Sequence, residues 1–345
     1  MGAIEISRTG VLKIGISVDS HLGQQENWLI TGGLGYIGAH VARNFLAEGQ
    51  NVVIIDNLST GRLERLPTEA KFVEGDIRNS DIVREVCLKY AITGVVHLAA
   101  FKHARESRLY PLKYWANNVG AVMGLVEGIA GLGIKKFILS SSCSIYGNAS
   151  DVNEQTPPNP QSPYAFTKFV SEEILAQCLN DMGITYTALR FFNVIGCDSF
   201  PGASDVSEEC LVPVISNRIK SGLPVEILGI NLQTPDGTCL RDYLDVRDIA
   251  NAHIIVSRKM NLSNFPKVIN LSSGKATSVK QIVSSFESVI GNKIQVKGRD
   301  ANPADPVAVW SQISTKLDNW GWAPQYDLHD SIASHCRINL QNHIK

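Results

Sequence analysis

The first half of the chain alternates short, wholly apolar runs with longer stretches whose apolar residues recur at helical spacing. Trp28-Leu29-Ile30 reads as a buried strand, and Ala39 to Glu48 beyond a glycine-rich turn has the period of a helix. Asn51 to Ile55 is a second buried run. A strand, a helix and a strand within about thirty residues form one βαβ unit, which implies a parallel sheet. The rhythm continues through Phe72 before Asp76, a helix over Ile82–Tyr90, and a strand over Gly94–Leu98. A long helix is predicted from Tyr114 to Ala130, a strand from Lys136 to Leu139 running into Ser140, a helix from Tyr164 to Asp181, and a strand over Tyr186–Arg190. Together these predict a doubly wound α/β sheet.

Beyond Asn193 the pattern loosens. Pro, Gly and Asp interrupt it, and short strands such as Val225–Leu228 alternate with helices such as Val279–Val289. The expected organisation is an N-terminal extension over 1–26, a dinucleotide-binding domain over 27–195, and a smaller α/β substrate lobe over 196–345 interleaved with it. No repeats, low-complexity linkers or charge runs break this division.

The glycine turn carries the first chemistry. In TGGLGYIG, Gly32, Gly35 and Gly38 stand three apart, and Gly33, Gly35 and Gly38 also satisfy GxGxxG. The first glycine permits a tight turn, the next lets a pyrophosphate approach the backbone, and the last lets the helix pack on its strand. The free N–H groups of the helix start then face the phosphates. Asp56 closes the following strand, where a carboxylate binds the adenosine ribose hydroxyls and repels a 2′-phosphate. Asn57 follows, and the nearest arginine is Arg62, so the expected cofactor is NAD rather than NADP. Asp76, just after the third strand, is placed either to meet the adenine edge or to make a surface turn.

Tyr164 and Lys168 lie four apart at a helix start within SPYAFTK, on one helical face. A phenol near pKa 10 is a poor base at neutral pH unless a neighbouring ammonium and a positive nicotinamide ring stabilise its anion. The serine-rich Ser140–Ser144 ends a strand beside the expected cofactor, where a hydroxyl can bond an oxygen shuttling between alcohol and ketone. Taken alone, Tyr164 and Lys168 also fit an ordinary surface helix.

Composition narrows the picture modestly. A formal net charge of −1 favours neither nucleic acid nor an anionic membrane, and no apolar run reaches the roughly 18–20 residues of a membrane span. Seven scattered cysteines, without any CxxC pair, argue against a disulfide framework or zinc site and for free thiols in a reducing cytoplasm. No His, Cys and carboxylate cluster has metal-ligand spacing, so no metal is expected. Residues 1–26 do not read as a secretory signal. His97 and His40 read as packed structural histidines, and His103 lies nearer the expected pocket without an assigned role.

The motifs TGGLGYIGAH, DNLSTG, EGDIRN, VVHLAAFKHARES, PLKYWANNV, SSSCSIYG, SPYAFTK, RFFNVIG and TPDGTCLRDYLDV give the chain a wider likeness. From about Trp28 to Trp310 it resembles the extended short-chain dehydrogenases/reductases, and within them the nucleotide-sugar 4-epimerases of the UDP-glucose/UDP-galactose type. That resemblance implies Ser142 as catalytic serine, Tyr164 as base and Lys168 as ribose-binding lysine. It implies cofactor contacts from Gly32, Gly35, Tyr36, Ile37, Gly38, Asp56, Asn57, Asp76, Ile77, Leu98, Ala99, Ala100, Lys102 and Asn118, besides Tyr164 and Lys168. It implies substrate contacts from Ser142, Tyr164, Asn193, Leu211, Leu228, Arg241 and Asp305, with Asn193 and Arg241 holding a nucleotide diphosphate. A guanidinium fork suits that group; without the motif Arg241 reads as an ion-pair partner of Asp242 or Asp245. A homodimer built on helices near 114–130 and 164–181 is also implied.

The expected reaction is oxidation at the sugar C4, rotation of the 4-keto sugar about its diphosphate tether, and reduction from the opposite face. Cys143 and Ser144 replace the Asp-Glu pair of the related 4,6-dehydratases, which argues against dehydration. Asn302 stands where many relatives have an arginine, with Arg299 nearby, and Leu228 where an aromatic packs near uracil, with Glu226 close by. Val309 replaces a pocket-narrowing tyrosine of bacterial enzymes, so an N-acetyl sugar is an expected substrate too. Pentose or uronic-acid epimerisation, decarboxylation, and a non-catalytic NAD-binding role are the alternatives.

Overall fold

The computed structural model describes residues 25–301 and 306–343. Seven strands form its central sheet: β1 (Asn27–Thr31), β2 (Asn51–Asp56), β3 (Lys71–Glu74), β4 (Gly94–His97), β5 (Lys136–Ser142), β6 (Thr185–Phe191) and β7 (Val268–Leu271). They lie in the order β7-β6-β5-β4-β1-β2-β3. Every pairing among them is parallel. The order reverses direction beside β1 and β4, so a crevice opens at their carboxyl ends, where ligands of such sheets bind.

Alternate residues of each strand feed two separate cores, which is why the runs are apolar throughout. Trp28, Ile30, Val52, Ile54, Val96 and Ile138 enter one layer with helices α1 (Tyr36–Ala47) and α5 (Val246–Lys259). Leu29, Val53, Ile55, Val95, Phe137 and Leu139 enter the other, with α2 (Ser80–Lys89), α3 (Gly120–Ile129) and α4 (Pro163–Cys178). Each fully buried aliphatic side chain contributes about 1.5–3 kcal/mol.

The single long helix expected over 114–130 is instead three pieces. Pro111–Tyr114 is one α-turn, Trp115–Val119 is a π-helical turn, and α3 resumes at Gly120. The extra residue lets Asn118 turn inward, a distortion that apolar periodicity cannot register. Helix α4 begins where its residues dictate: the Ser162 hydroxyl accepts from Ala165 N at 3.2 Å and Pro163 occupies the first turn. It ends at Cys178, short of the expected Asp181.

The carboxyl-terminal lobe has its own core. Helices Leu211–Lys220, Val279–Ile290 and Leu328–Asn339 enclose Ile215, Ile227, Phe286 and Ile332 beside the parallel pair Val225–Leu228 and Val296–Arg299. A capping box of Ser278 and Gln281 starts the middle helix, and left-handed Gly291 stops it. The chain crosses between the two bodies repeatedly, since β7 and α5 belong to the central sheet and its layers although both lie beyond residue 195.

Candidate active site

The glycine turn is built by backbone contacts. Gly32 N donates to Ile55 O at 2.9 Å and Gly35 N to Gly32 O at 3.0 Å. Gly32 sits at φ 67°, and a Cβ there would lie 2.6 Å from Ala99 N. At Gly38 a Cβ would lie 2.1 Å from Gly32 O and 2.8 Å from Gly33 Cα, so α1 can lie this close to its strand only without a side chain. No side chain caps α1 and no carboxylate occupies its first turn, which leaves its N–H groups facing outward. Asp56 braces the turn, accepting from Leu34 N at 3.1 Å and Leu58 N at 2.9 Å, and burial raises its pKa.

From this turn a cavity of about 910 Å³ runs along the carboxyl ends of the strands. Gly32, Gly35, Tyr36, Ile37, Gly38, Asp56, Asn57, Asp76 and Ile77 line one end, and Leu98, Ala99, Ala100 and Lys102 the middle. Ser142, Tyr164, Lys168, Asn193, Arg241 and Val309 line the rest. A groove with a Cβ-free cradle and a carboxylate beyond it fits a dinucleotide in shape and donor set. Asp76 is itself held by the Arg78 guanidinium, which keeps its carboxyl below the usual range.

Ser142, Tyr164 and Lys168 meet because β5 and α4 run side by side. Lys168 Nζ donates to Ser140 O at 2.8 Å, and the Ser142 hydroxyl sits beside the Tyr164 phenol while accepting from Ser144 Oγ at 2.9 Å. Burial pushes Tyr164 up to about 12, against the Ser142 hydrogen bond that pulls it down. Burial draws Lys168 down to about 8 from its ordinary 10.5, opposed by the Glu172 carboxylate. The folded chain therefore holds this proton less tightly than the unfolded chain. The lysine's contribution to stability is complete above pH 10.5 and is lost as pH falls through about 8. Cofactor-free Lys168→Met is thus expected to melt above the unaltered protein at pH 7, with the gap narrowing by pH 10. A variant no more stable at pH 7 contradicts this.

Other sequence candidates are placed differently. Asn118 is off the cavity wall, which its neighbour Asn117 lines. Its amide accepts from Phe101 N at 2.9 Å and donates to Phe101 O at 3.0 Å and Thr167 Oγ1 at 3.1 Å, clamping the loop after β4 onto α4. Leu211 opens a lobe helix and packs against the lobe core, and Leu228 ends its strand 50% exposed; neither lines the cavity. Asp305 and Asn302 lie outside the described residues. Arg299 is engaged by Glu226 at 2.8 Å. Arg241 makes no ion pair among the described residues: Asp245 holds Arg247, Asp242 accepts from Ser273 N and Gly274 N, and Arg241 donates to Leu240 O and Pro306 O. Arg241 lines the cavity, and among the described residues no carboxylate neutralises its guanidinium.

His97 bonds Thr31 Oγ1 through Nδ1 at 2.7 Å, and burial pushes it down to about 3, so it stays neutral. His40, held at about 4 by burial, accepts from Asp198 N through Nε2 at 3.1 Å. Among the described residues no cluster of His, Cys, Asp or Glu could hold a metal ion.

Sequence reasoning overlooked the segment from Gly196 to Cys210, which crosses α1 before returning to the cavity. Tyr36 donates to Gly196 O at 2.6 Å, Arg43 lies 3.6 Å over the Phe200 ring, and the buried Arg65 donates to Gly202 O at 2.7 Å and Ser204 O at 3.1 Å. Asp205 then pairs with Lys102 at 3.0 Å, and Asp205 to Cys210 line the cavity. Only a fold brings these partners together, so no local motif announces them.

The model of the NAD dependent epimerase/dehydratase family matches residues 28–272. A UDP-glucose 4-epimerase of Lacticaseibacillus casei is 35% identical over 310 residues, covering 88% of this chain and 93% of that protein. The UDP-glucose 4-epimerase of Stenotrophomonas maltophila, solved with NAD and formylated UDP-arabinopyranose, superposes with a TM-score of 0.86 at 28% identity, covering 92% of this chain and 99% of that one. The Brucella ovis UDP-glucose 4-epimerase in complex with NAD gives a TM-score of 0.84 at 34% identity, covering 90% and 98%. With the glycine cradle and the Ser142–Tyr164–Lys168 group in one cavity, these matches mean that the chain belongs to the NAD dependent epimerase/dehydratase family.

Proposed function

We propose that this chain is an NAD-dependent epimerase that inverts C4 of a nucleotide-activated sugar of the UDP-glucose/UDP-galactose type. The observation that carries this reading is the meeting of Ser142, Tyr164 and Lys168 on the wall of the cavity that begins at the glycine turn. When bound, NAD supplies the acceptor for the C4 hydride and its return. Tyr164 Oη takes the proton of the sugar 4-hydroxyl and later gives one back on the opposite face. Ser142 donates a hydrogen bond that steadies the same oxygen. The Lys168 ammonium stabilises the phenolate electrostatically, offsetting the burial that pushes the phenol up to about 12. Arg241 and Asn193 grip the diphosphate, and the loosely bound sugar is free to turn.

Cys143 at the wall is a neutral thiol, raised to about 12 by burial, and Ser144 beside it is a hydroxyl, so neither replaces a dehydratase carboxylate. Val309, small and facing the cavity, leaves room for an N-acetyl group. The test is turnover across UDP-hexoses, UDP-N-acetylhexosamines, UDP-pentoses and UDP-uronic acids, with products resolved by C4 configuration. C4 inversion of the hexoses is expected, and of the N-acetyl forms as well; absence of any C4 epimer overturns the reading.

The same reading assigns a cofactor domain over 27–195 and a substrate lobe over 196–345 interleaved with it, β7 and α5 returning to the central sheet. Seven free cysteines support a reducing, cytoplasmic setting, and among the described residues no helix is long and apolar enough to cross a membrane. The chain pairs as a homodimer in this account. Leu109, Tyr110, Leu112, Met123 and Phe166 are exposed on α3, α4 and the short helices packed beside α4, an apolar area that suits a second copy. Leu112→Asp combined with Met123→Glu is expected to convert a dimer into a monomer in sedimentation; an unaltered protein that sediments as a monomer contradicts the dimer.

A further inference from the structure

Three consecutive serines end β5, and each is tied to a different residue of α4. The Ser140 carbonyl accepts from Lys168 Nζ at 2.8 Å, the Ser141 hydroxyl donates to Glu172 Oε1 at 2.5 Å, and the Ser142 hydroxyl sits beside the Tyr164 phenol. Tyr164, Lys168 and Glu172 are spaced four apart, so they share one side of the helix. The Ser141–Glu172 rung takes no part in the chemistry above, yet it is buried, with Ser141 2%, Arg190 4% and Glu172 7% exposed. Arg190 on β6 grips Glu172 with two prongs, Nε to Oε1 at 3.0 Å and Nη2 to Oε2 at 2.7 Å. Its Nη1 donates to Tyr146 Oη at 2.9 Å, and Tyr146 donates to Asn270 Oδ1 of β7 at 2.8 Å. Tyr146 closes the short helical turn that Ser142 caps. The brace thus holds the residues on both sides of Ser142. A buried carboxylate–guanidinium pair gives little net stability over apolar residues of similar volume, so stability alone does not explain it.

We propose that Glu172 is a positioning residue for the epimerisation: with Ser141 and Arg190 it sets the spacing of Ser142, Tyr164 and Lys168. The inference rests on the assignment of Tyr164 and Lys168 to proton transfer. Lys168 faces Glu172 and Tyr164 on its own helix and His97 on β4, which stays uncharged. Across the sheet Glu172 faces Arg190, with Tyr146 behind it. Glu172 is the group that opposes the downward pull of burial on Lys168.

The test measures kcat and KM against pH for the full chain carrying NAD. Ser141→Ala is expected to lower kcat about 3- to 10-fold with KM within about twofold. The charge-free pair Glu172→Gln with Arg190→Gln is expected to lower kcat by about tenfold or more and to move the alkaline limb about one pH unit lower. Wild-type kcat and an unmoved alkaline limb in both variants overturn the proposal. If the double variant does not fold, Ser141→Ala decides alone: a wild-type kcat overturns the proposal, and a lowered kcat at constant KM supports it. Tyr164→Phe run in parallel separates the two levels, since full turnover there removes the proton-transfer assignment itself.

Discussion

Replacing Tyr164 with phenylalanine is expected to lower turnover by about 10²- to 10⁴-fold, the usual contribution of a positioned proton-transfer group. The phenol lines the cavity, and its hydroxyl meets Ser142 rather than any group that holds the helix. Helix α4 is fixed by other contacts: the Ser162 cap, the donation of Tyr164 N to Ser107 Oγ at 3.1 Å, and the Lys168 and Glu172 rungs. The variant should therefore fold, melt near the unaltered temperature and retain its cofactor while losing catalysis. Steady-state turnover beside a thermal melt and NAD quantification checks all three. Turnover within a few-fold of the unaltered protein removes the phenol from the mechanism.

Gly38→Ala is expected to disable the protein by another route. Its Cβ would meet backbone on both sides, 2.1 Å from Gly32 O and 2.8 Å from Gly33 Cα, and backbone at a tight turn cannot yield as a side chain does. Helix α1 must then lift from the sheet, losing stability by at least the roughly 1–3 kcal/mol typical of overpacking and spoiling the phosphate cradle. Gly35→Ala provides the internal comparison, since its Cβ would lie 3.1 Å from Gly32 O alone. Denaturant unfolding and NAD content should both rank Gly38→Ala as the more damaging. Equal stability and equal NAD content in the two variants contradict this reading of the turn.

Much of the sheet was legible because parallel strands buried on both faces are continuous apolar runs, and β1, β2, β4 and β5 each contain one. The strand β7 was not: Val268–Leu271 is an isolated apolar patch whose partner β6 lies far back in the chain. In the cavity, the glycine turn, Asp56 and the Tyr164–Lys168 pair were legible because their chemistry depends on local spacing. The clamp of Asn118 on Phe101 and Thr167 escaped because it depends on a π-turn that apolar periodicity does not register. Arg65, Asp205 and the Glu172–Arg190 brace escaped because each depends on a partner from a distant element. A segment reading LERLP has no feature that marks its arginine as buried beneath a strap.

The central claim is that hydrogen leaves and returns to the same sugar carbon within one binding event. The most direct measurement gives the purified protein, without added cofactor, a UDP-hexose deuterated at C4 and follows the product by NMR. The account predicts a C4-inverted product over many turnovers with the deuterium still on C4. Loss of that deuterium to solvent, or no inverted product from protein that carries NAD, would contradict it.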